Sequence, residues 1–339
     1  MLLAGDVGGT KTTLGLFPLK GDPKTPHVVT TFPSAKYPDL ESIAREFLAQ
    51  NRGDVRYASF GVAGPVIGGR AIITNLPWAI EEKSLAASLH ISGAHLMNDL
   101  EAIAMSVPFL ERTDLATLNR GRSDPEGPVA IIAPGTGLGE AFITREGPLH
   151  RVHPSEGGHA DFAPINESQV ELLEYLLKRS DHVSYEDVCS GIGIRNIHEY
   201  FEETSLPERD SSHAKELDVE DPVPMIAAAA LSKSRRCETC SRAMDTFASI
   251  LGAEAGNLAL KVLATGGVYV AGGIPSKVLP LIKGGSFIKA FTKKGRMSRL
   301  VSRIPVHVVL RPGVALLGAA SSGFESMRHN PRLSREPRD

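Results

Sequence analysis

Gly5-Asp6-Val7-Gly8-Gly9-Thr10-Lys11-Thr12 directly follows the apolar residues Met1-Leu2-Leu3-Ala4. We interpret this stretch as a buried strand that ends in a glycine-rich turn bearing a carboxylate and hydroxyl groups. Glycine lets the backbone approach an anion closely, exposed N–H groups can bind phosphate, and an aspartate can hold Mg²⁺ through water. The pattern matches neither Gly-x-Gly-x-x-Gly nor the Walker sequence, which argues against a dinucleotide fold and a P-loop enzyme. An ordinary structural hairpin is the alternative.

Two further glycine turns follow predicted strands. Residues 129–133 lead into Gly135-Thr136-Gly137, and residues 268–271 lead into Gly272-Gly273. Short apolar runs that stop at glycine are typical of strands buried on both faces of a parallel sheet, with ligands at their carboxyl ends. The three turns therefore predict one nucleotide bound between two α/β halves, with the threonines of the first two turns near the β- and γ-phosphates. The alternative is three unrelated turns in a chain with 33 glycines.

The candidate for acid–base chemistry lies between the first two turns. Residues 94–97 predict a short strand, and Asn98 and Asp99 follow it. A carboxylate at a strand end opens toward the same region as the glycine turns, where it could deprotonate an alcohol that faces a γ-phosphate. The alternative is that Asn98 or Asp99 only caps the next helix.

A third polar segment contains Glu156 and His159, separated by two glycines. Such a turn can direct both side chains at one small polar ligand. Glu, His and the nearby Asp161 could also coordinate zinc or iron, but the sequence offers no second cluster with ligand spacing. A structural histidine is a further alternative. Glu186, near Ser190-Gly191, is another candidate carboxylate. The residues around it, taken alone, favour a position on a helix surface.

Taken together, these residues resemble the bacterial-type glucokinases of the hexokinase, actin and heat-shock-chaperone ATPase superfamily. The resemblance extends from Gly5 to about Gly318 and includes Thr74-Asn75-Leu76-Pro77-Trp78. It implies an α/β, two-domain hexokinase-like (actin-like ATPase, ribonuclease-H-like) fold with an interdomain cleft. The smaller domain, residues 1–109 plus 312–339, would contain the first phosphate turn and the catalytic aspartate. The larger domain, residues 110–311, would contain the sugar-contacting turns, the second phosphate turn and the adenosine side.

The resemblance also implies roles for single residues. Asp99 would be the general base and contact the sugar, and Asp6 would hold Mg²⁺ through water. The other sugar-binding residues would be Asn75, Asn98, Glu156, His159 and Glu186. The residues facing ATP would be Asp6, Gly8, Gly9, Thr10, Lys11, Gly135, Thr136, Gly137, Gly272 and Gly273.

The implied activity is the ATP-dependent, magnesium-dependent phosphorylation of D-glucose at its C6 hydroxyl, which feeds glycolysis. Two alternatives remain open, a kinase for another hexose or amino sugar and a non-catalytic sugar-sensing regulator of the same fold. The chain has Lys11-Thr12-Thr13 where many such glucokinases have Asn-Ala-Arg, which is closer to the related ROK proteins. No cysteine-rich motif of the ROK type follows His159, so zinc is not expected. A homodimer is expected from the family.

Composition fits a cytoplasmic enzyme. The chain has 339 residues, 42% of them hydrophobic, so it can form two domains. Its formal net charge is −2, so it lacks the excess positive charge that would attract nucleic acid. No apolar run approaches the roughly 18 residues of a membrane span, and the first strand leaves no room for a signal peptide. Of the three cysteines, Cys237 and Cys240 are interpreted as free thiols near a helix end, with a redox or half-zinc site as the alternative.

Helical periodicity predicts three further elements. Apolar residues from 40 to 48 follow Pro38-Asp39 and indicate an amphipathic helix with a capped start. Residues 247–263 indicate a helix in which Gly252 and Gly256 permit close packing. Residues 312–320 resemble the helix that returns to the first domain. Residues 202–221 are interpreted as a surface connection, and residues 328–339 as a disordered tail.

Overall fold

The computed structural model describes residues 1–51, 53–73, 76–147, 149–204, 222–232 and 237–329. Asn75 lies outside these residues, as do most of the predicted surface connection and the predicted tail from residue 330 onward. The chain divides into two compact units. The first unit contains Met1–Glu111 and the segment that begins at Arg311, and the second contains Arg112–Leu310.

The described residues form fourteen strands and eleven α-helices. The strands are β1 (Leu2–Val7), β2 (Lys11–Phe17), β3 (Val28–Pro33), β4 (Tyr57–Val62), β5 (Val66–Ile67), β6 (Arg70–Ile72), β7 (Ala79–Glu81), β8 (Gly93–Asn98), β9 (Leu115–Asn119), β10 (Val129–Pro134), β11 (Leu138–Glu146), β12 (Leu149–Ser155), β13 (Gly267–Val270) and β14 (Val306–Val309). The helices are α1 (Leu40–Gln50), α2 (Glu82–Ser88), α3 (Asp99–Ser106), α4 (Glu167–Leu177), α5 (Gly191–Thr204), α6 (Val223–Leu231), α7 (Glu238–Lys261), α8 (Leu279–Ile282), α9 (Ser286–Thr292), α10 (Ser298–Val301) and α11 (Val314–His329).

The main sheet of the first unit has the strand order β3-β2-β1-β4-β8. Strands β1, β4 and β8 are parallel, and their register places Asp6 beside Gly61 and Gly61 beside Met97. The carboxyl ends of β1 and β8 therefore lie at the same edge of the sheet. This arrangement brings the first glycine turn and the Asn98-Asp99 pair to one region of the unit.

Helices cover both faces of this sheet. Helix α1 has Asp39 as its N-cap, whose side chain accepts a hydrogen bond from the Ser42 N–H, and it buries Leu40, Ile43 and Phe47. The predicted amphipathic helix is thus confirmed. On the opposite face, α11 packs apolar residues against β1, and this packing includes Phe324. The close approach of α11 to α3 requires Gly318, because a Cβ there would overlap the Ala102 carbonyl oxygen.

The main sheet of the second unit has the order β12-β11-β10-β13-β14-β9. The predicted strands before the second and third glycine turns are β10 and β13, and they pair in parallel. Helix α7 is the longest helix among the described residues, and the predicted helix from residue 247 is confirmed, although it begins earlier, at Glu238. Its Gly252 and Gly256 lie against the carbonyl oxygens of Phe287 and Phe291 on α9, which explains both glycines by close packing.

The predicted parallel pairing is present for β1 with β4 and for β10 with β13, and each main sheet also contains antiparallel strands. Strand β2 is antiparallel to β1, and β11 is antiparallel to β10. The physical reason is the length of the glycine turns, because so short a connection can only return the chain antiparallel to the strand it leaves. None of the helices in the described ranges combines the length and apolar character needed to cross a membrane.

Candidate active site

The first glycine turn joins β1 to β2 in the first unit. The Gly8 N–H donates to the Lys11 carbonyl oxygen at 3.0 Å, which closes the turn, while Thr10 and Lys11 are exposed. Ser34 supports the turn from inside the protein. Its Oγ donates to the Gly8 carbonyl oxygen at 2.7 Å, and its N–H donates to the Thr10 carbonyl oxygen at 3.1 Å. Ser34 is fully buried, and no sequence motif marks it, so sequence reasoning missed it.

Asp6 and Asp99 are the two acidic residues at this edge of the sheet. Burial and the nearby charge of Asp99 raise the pKa of Asp6 to about 6, and Lys11 opposes this rise. Burial also raises the pKa of Asp99, partly offset by the hydrogen bond that Asp99 Oδ1 accepts from the Leu100 N–H at 2.8 Å. The negative charge of Asp99 disfavours ionisation of Asp6, and a cation at Asp6 would offset that effect.

Asn98 is the N-cap of α3. Its Oδ1 accepts a hydrogen bond from the Leu100 N–H at 2.9 Å, and its Nδ2 donates to the Gly64 carbonyl oxygen at 3.0 Å. The helix-capping alternative therefore applies to Asn98. Asp99 is the first residue of α3. The positive end of the helix dipole stabilises a carboxylate at that position.

The second glycine turn lies between β10 and β11 in the second unit. The Gly135 N–H donates to the Gly137 carbonyl oxygen at 2.8 Å, and Thr136 is exposed at the tip. Gly272 has φ of +89°, and a Cβ on it would overlap the Pro134 carbonyl oxygen. The third turn, which continues into the exposed Gly273, is therefore packed against the start of the second turn. The structure brings these two predicted phosphate turns together.

Glu186 lies in a turn before α5, so its predicted position on a helix surface is wrong. Its Oε2 accepts a hydrogen bond from the Leu138 N–H at 2.8 Å, and its own N–H donates to the Gly158 carbonyl oxygen at 2.8 Å. The turn forms because Ser190 Oγ donates to the Glu186 carbonyl oxygen and accepts the Gly193 N–H. Glu186 thus connects the second glycine turn to the segment that contains Glu156 and His159.

Residues 156–159 form a tight turn, which we call the 156–159 turn. Its side chains Glu156 and His159 are 85% and 62% exposed, and His159 Nε2 lies 3.9 Å from Glu156 Oε2. A structural histidine would be buried and hydrogen-bonded, so the exposure of His159 argues against that alternative. Asp161 does not join them, because its Oδ1 instead pairs with His182 Nε2 at 2.8 Å. In the part of the chain that the structure describes, the side chains of this turn do not belong to any group of three or more His, Cys, Asp or Glu residues close enough together to hold a metal ion.

Cys237 and Cys240 lie at the start of α7 and form a disulfide in this structure. The prediction of a helix end is confirmed, whereas the prediction of free thiols is wrong. Cys237 is the N-cap and accepts the Cys240 N–H at 3.1 Å, so the first helical turn brings the two sulfur atoms together. His198 Nε2 lies 3.6 Å from Cys240 Sγ, and all three side chains are buried.

Comparison with known proteins shows which family the chain resembles. The sequence model of the glucokinase family matches residues 3–325. A glucokinase of Nostoc sp. is 40% identical over 338 residues, covering 94% of this chain and 98% of the relative. The crystal structure of a glucokinase from an Antarctic psychrotroph is 28% identical, with a TM-score of 0.80 over 96% of this chain and 98% of that chain.

A more distant structure shares the fold. A ROK family glucokinase from Streptomyces griseus, solved with glucose and AMPPNP, is 20% identical, with a TM-score of 0.64 over 96% of this chain and 99% of that chain. The family match and the 40% identity of the Nostoc relative confirm the resemblance seen in the sequence. The chain belongs to the glucokinase family and has its two-domain, hexokinase-like fold.

Proposed function

We propose that this protein transfers the γ-phosphate of ATP to the C6 hydroxyl of D-glucose, forming glucose 6-phosphate for glycolysis. The observation that carries the proposal is the placement of Asp6 and Asp99 at one sheet edge, beside a turn of the phosphate-binding type. Such a pair provides one carboxylate for a metal ion and one for a proton. The solved Streptomyces relative, which binds glucose and AMPPNP, supports the choice of both substrates.

The phosphate side of the proposed site consists of the three glycine turns. The residues assigned to ATP are Gly8, Gly9, Thr10, Lys11, Gly135, Thr136, Gly137, Gly272 and Gly273. Asp6 fits Mg²⁺, because a hard cation prefers carboxylate oxygen, and because burial and then the nearby charge of Asp99 raise the pKa of Asp6, so a cation there would favour its ionised form. When bound there, Mg²⁺ would neutralise charge on the phosphates.

Asp99 is the proposed general base. Its raised pKa makes it a better proton acceptor than an exposed aspartate. The Asp99 carboxylate takes the proton of the C6 hydroxyl while the sugar oxygen forms a bond to the γ-phosphorus. The bond between the γ-phosphorus and the bridging oxygen breaks, and ADP leaves. Backbone N–H groups of the turns stabilise the negative charge that spreads over the phosphoryl oxygens.

The sugar side of the proposed site is assigned to polar side chains. Glu156 and His159 are exposed and close together, and Glu186 is fixed beside them by its backbone bond to Gly158. Asn98 can offer its amide from the start of α3, and Asn75 completes the set by resemblance. We assign the hydroxyl groups of the sugar to these five residues and to Asp99.

A coupled assay of ADP release tests the proposed function against its alternatives. With a panel of glucose, other hexoses and amino sugars, we expect glucose to give the highest kcat/KM. A higher value with another sugar would identify a different hexose or amino sugar kinase. Sugar binding without ADP release would identify a sugar-sensing regulator.

The homodimer and the cytoplasmic location remain predictions. Light scattering on the purified protein measures its molar mass and so tests whether it is a homodimer.

Glu156→Ala and His159→Ala should raise the KM for glucose far more than the KM for ATP. The reason is that each change leaves a sugar hydroxyl without its hydrogen-bond partner, at about 1–3 kcal/mol, or about five- to a hundredfold in affinity. Steady-state kinetics with each substrate varied in turn measures both constants. Asp161→Asn is the matched control, because Asp161 is an exposed acidic residue of the same segment and its side chain pairs with His182. A change in the KM for ATP alone would show that the sugar site lies elsewhere.

A further inference from the structure

Two glutamates that the proposed mechanism does not use are buried side by side in the second unit. Glu140 on β11 is 1% exposed, and Glu254 on α7 is 0% exposed. The Glu140 carboxyl lies directly against the 156–159 turn, because a Cβ on Gly157 would be 2.9 Å from Glu140 Cδ. In the sheet, Glu140 also pairs with Ser155, the residue just before that turn. Burial of two acidic groups costs free energy unless each finds partners.

Glu254 has the partners that a carboxylate requires. Its Oε2 accepts a hydrogen bond from Asn257 Nδ2 at 2.8 Å, and its Oε1 accepts one from Lys261 Nζ at 3.2 Å. Glu140 differs, because its buried Oε1 has no hydrogen-bond partner among the described residues. If Glu140 carries a proton, its carboxyl group can donate a hydrogen bond to Glu254. The charge of the pair is therefore best placed on Glu254 and the proton on Glu140.

The same network reaches the segment that contains Glu186. Asn257 Nδ2 lies 2.9 Å from the Tyr185 hydroxyl oxygen. The Tyr185 N–H donates to the Ala160 carbonyl oxygen at 3.0 Å, directly after the 156–159 turn. The buried glutamate pair therefore supports both segments that contribute candidate sugar-binding side chains in this unit.

The protonation of Glu140 follows from its surroundings. Burial, followed by the charge of Glu254 and a hydrogen bond to it, raises the pKa of Glu140 from 4.5 to about 8, and Lys261 opposes the rise. Burial also raises the pKa of Tyr185 and Cys189, and it lowers the pKa of Lys294. Near neutral pH Glu140 therefore keeps its proton. Above about 8 it loses that proton and places a negative charge against the backbone of Gly157.

We propose that Glu140 is a positioning residue for the sugar: hydrogen-bonded to Glu254 and packed on Gly157, it fixes the 156–159 turn so that Glu156 and His159 meet the sugar hydroxyls. The proposal rests on the proposed function of that turn. When Glu140 loses its proton, it repels Glu254 and the turn shifts, so sugar affinity falls as the pH rises. Because Glu140 contacts no reacting atom, the effect falls on the KM for glucose and not on kcat.

The test is the pH profile of the KM for glucose in the wild type, in Glu140→Gln and in Glu174→Gln. Glutamine has the shape of a neutral glutamate but does not ionise. We expect the wild-type KM to rise above pH 8, approaching tenfold per pH unit, because the protonated fraction falls by a factor of about ten per unit. The KM of Glu140→Gln should stay level over the same range. Glu174 is exposed on α4, so Glu174→Gln should follow the wild type.

Three outcomes are informative. A wild-type KM that stays constant across the range overturns the proposal, and so does a rise that is equally steep in Glu140→Gln. Calorimetric titration of the wild type with glucose at the same pH values gives this answer even if the variant does not fold. A wild type that releases no ADP with glucose at any pH contradicts the proposed function itself, which is a different result from a missing pH effect.

Discussion

Asp99→Asn is expected to abolish most turnover while leaving glucose binding intact. Asparagine has nearly the size of aspartate and keeps the hydrogen bond from the Leu100 N–H, but it does not accept the proton of the C6 hydroxyl. Removal of a general base typically lowers the rate by about 10² to 10⁴. The measurements are kcat by coupled ADP release and glucose affinity by calorimetry on the same preparation.

The competing explanation for Asp99 is stabilisation of α3. The structure gives the N-cap role to Asn98, and asparagine is tolerated well near helix N-termini, so this explanation predicts a variant with nearly normal turnover. Glu101→Gln is the matched control, because it removes a negative charge from the same first turn of α3. An unchanged melting temperature with lost turnover in Asp99→Asn, but not in Glu101→Gln, supports the base. Normal turnover in Asp99→Asn eliminates it.

The parts of the fold that the sequence predicted are those encoded by neighbouring residues. The strand before each glycine turn is apolar and short, and helix α1 shows both its cap, Asp39, and its apolar face within twelve residues. The spacing of Gly252 and Gly256 likewise indicated a closely packed helix. Such signals come from residues that are close together in the sequence, so they can be recognised without knowledge of the tertiary structure.

The parts that were missed depend on contacts between distant segments. Ser34 supports the first turn from 26 residues away, and no periodic pattern connects it to Gly8. Glu186 was misplaced because its partner, the Leu138 N–H, is 48 residues away. Glu140 is a charged residue in a strand, a residue type that is usually exposed, so the sequence gives no sign that its side chain is 1% exposed. Ionisable groups buried by tertiary contacts are the least visible in sequence.

Asp6→Ala should lower kcat by about 10²-fold or more, because it removes the carboxylate proposed to hold Mg²⁺ and with it much of the charge stabilisation of the phosphates. Glucose binding without nucleotide should survive, since the residues assigned to the sugar are unchanged. Chelation by EDTA should stop the wild-type reaction, and added Mg²⁺ should restore it. Asp54→Asn is a suitable control, because Asp54 is an exposed acid of the same unit.

The pH dependence distinguishes a metal-holding Asp6 from one that only shapes the turn. Because burial and Asp99 raise the pKa of Asp6 to about 6, Asp6 gains a proton and loses its attraction for Mg²⁺ as the pH falls through that value. The Mg²⁺ concentration needed for half-maximal rate should therefore increase below pH 6 in the wild type, and excess Mg²⁺ should recover the rate. Asp6→Ala should need a high Mg²⁺ concentration at every pH. If its requirement instead equals that of the wild type and varies with pH in the same way, the metal is held by other residues and Asp6 only supports the first glycine turn.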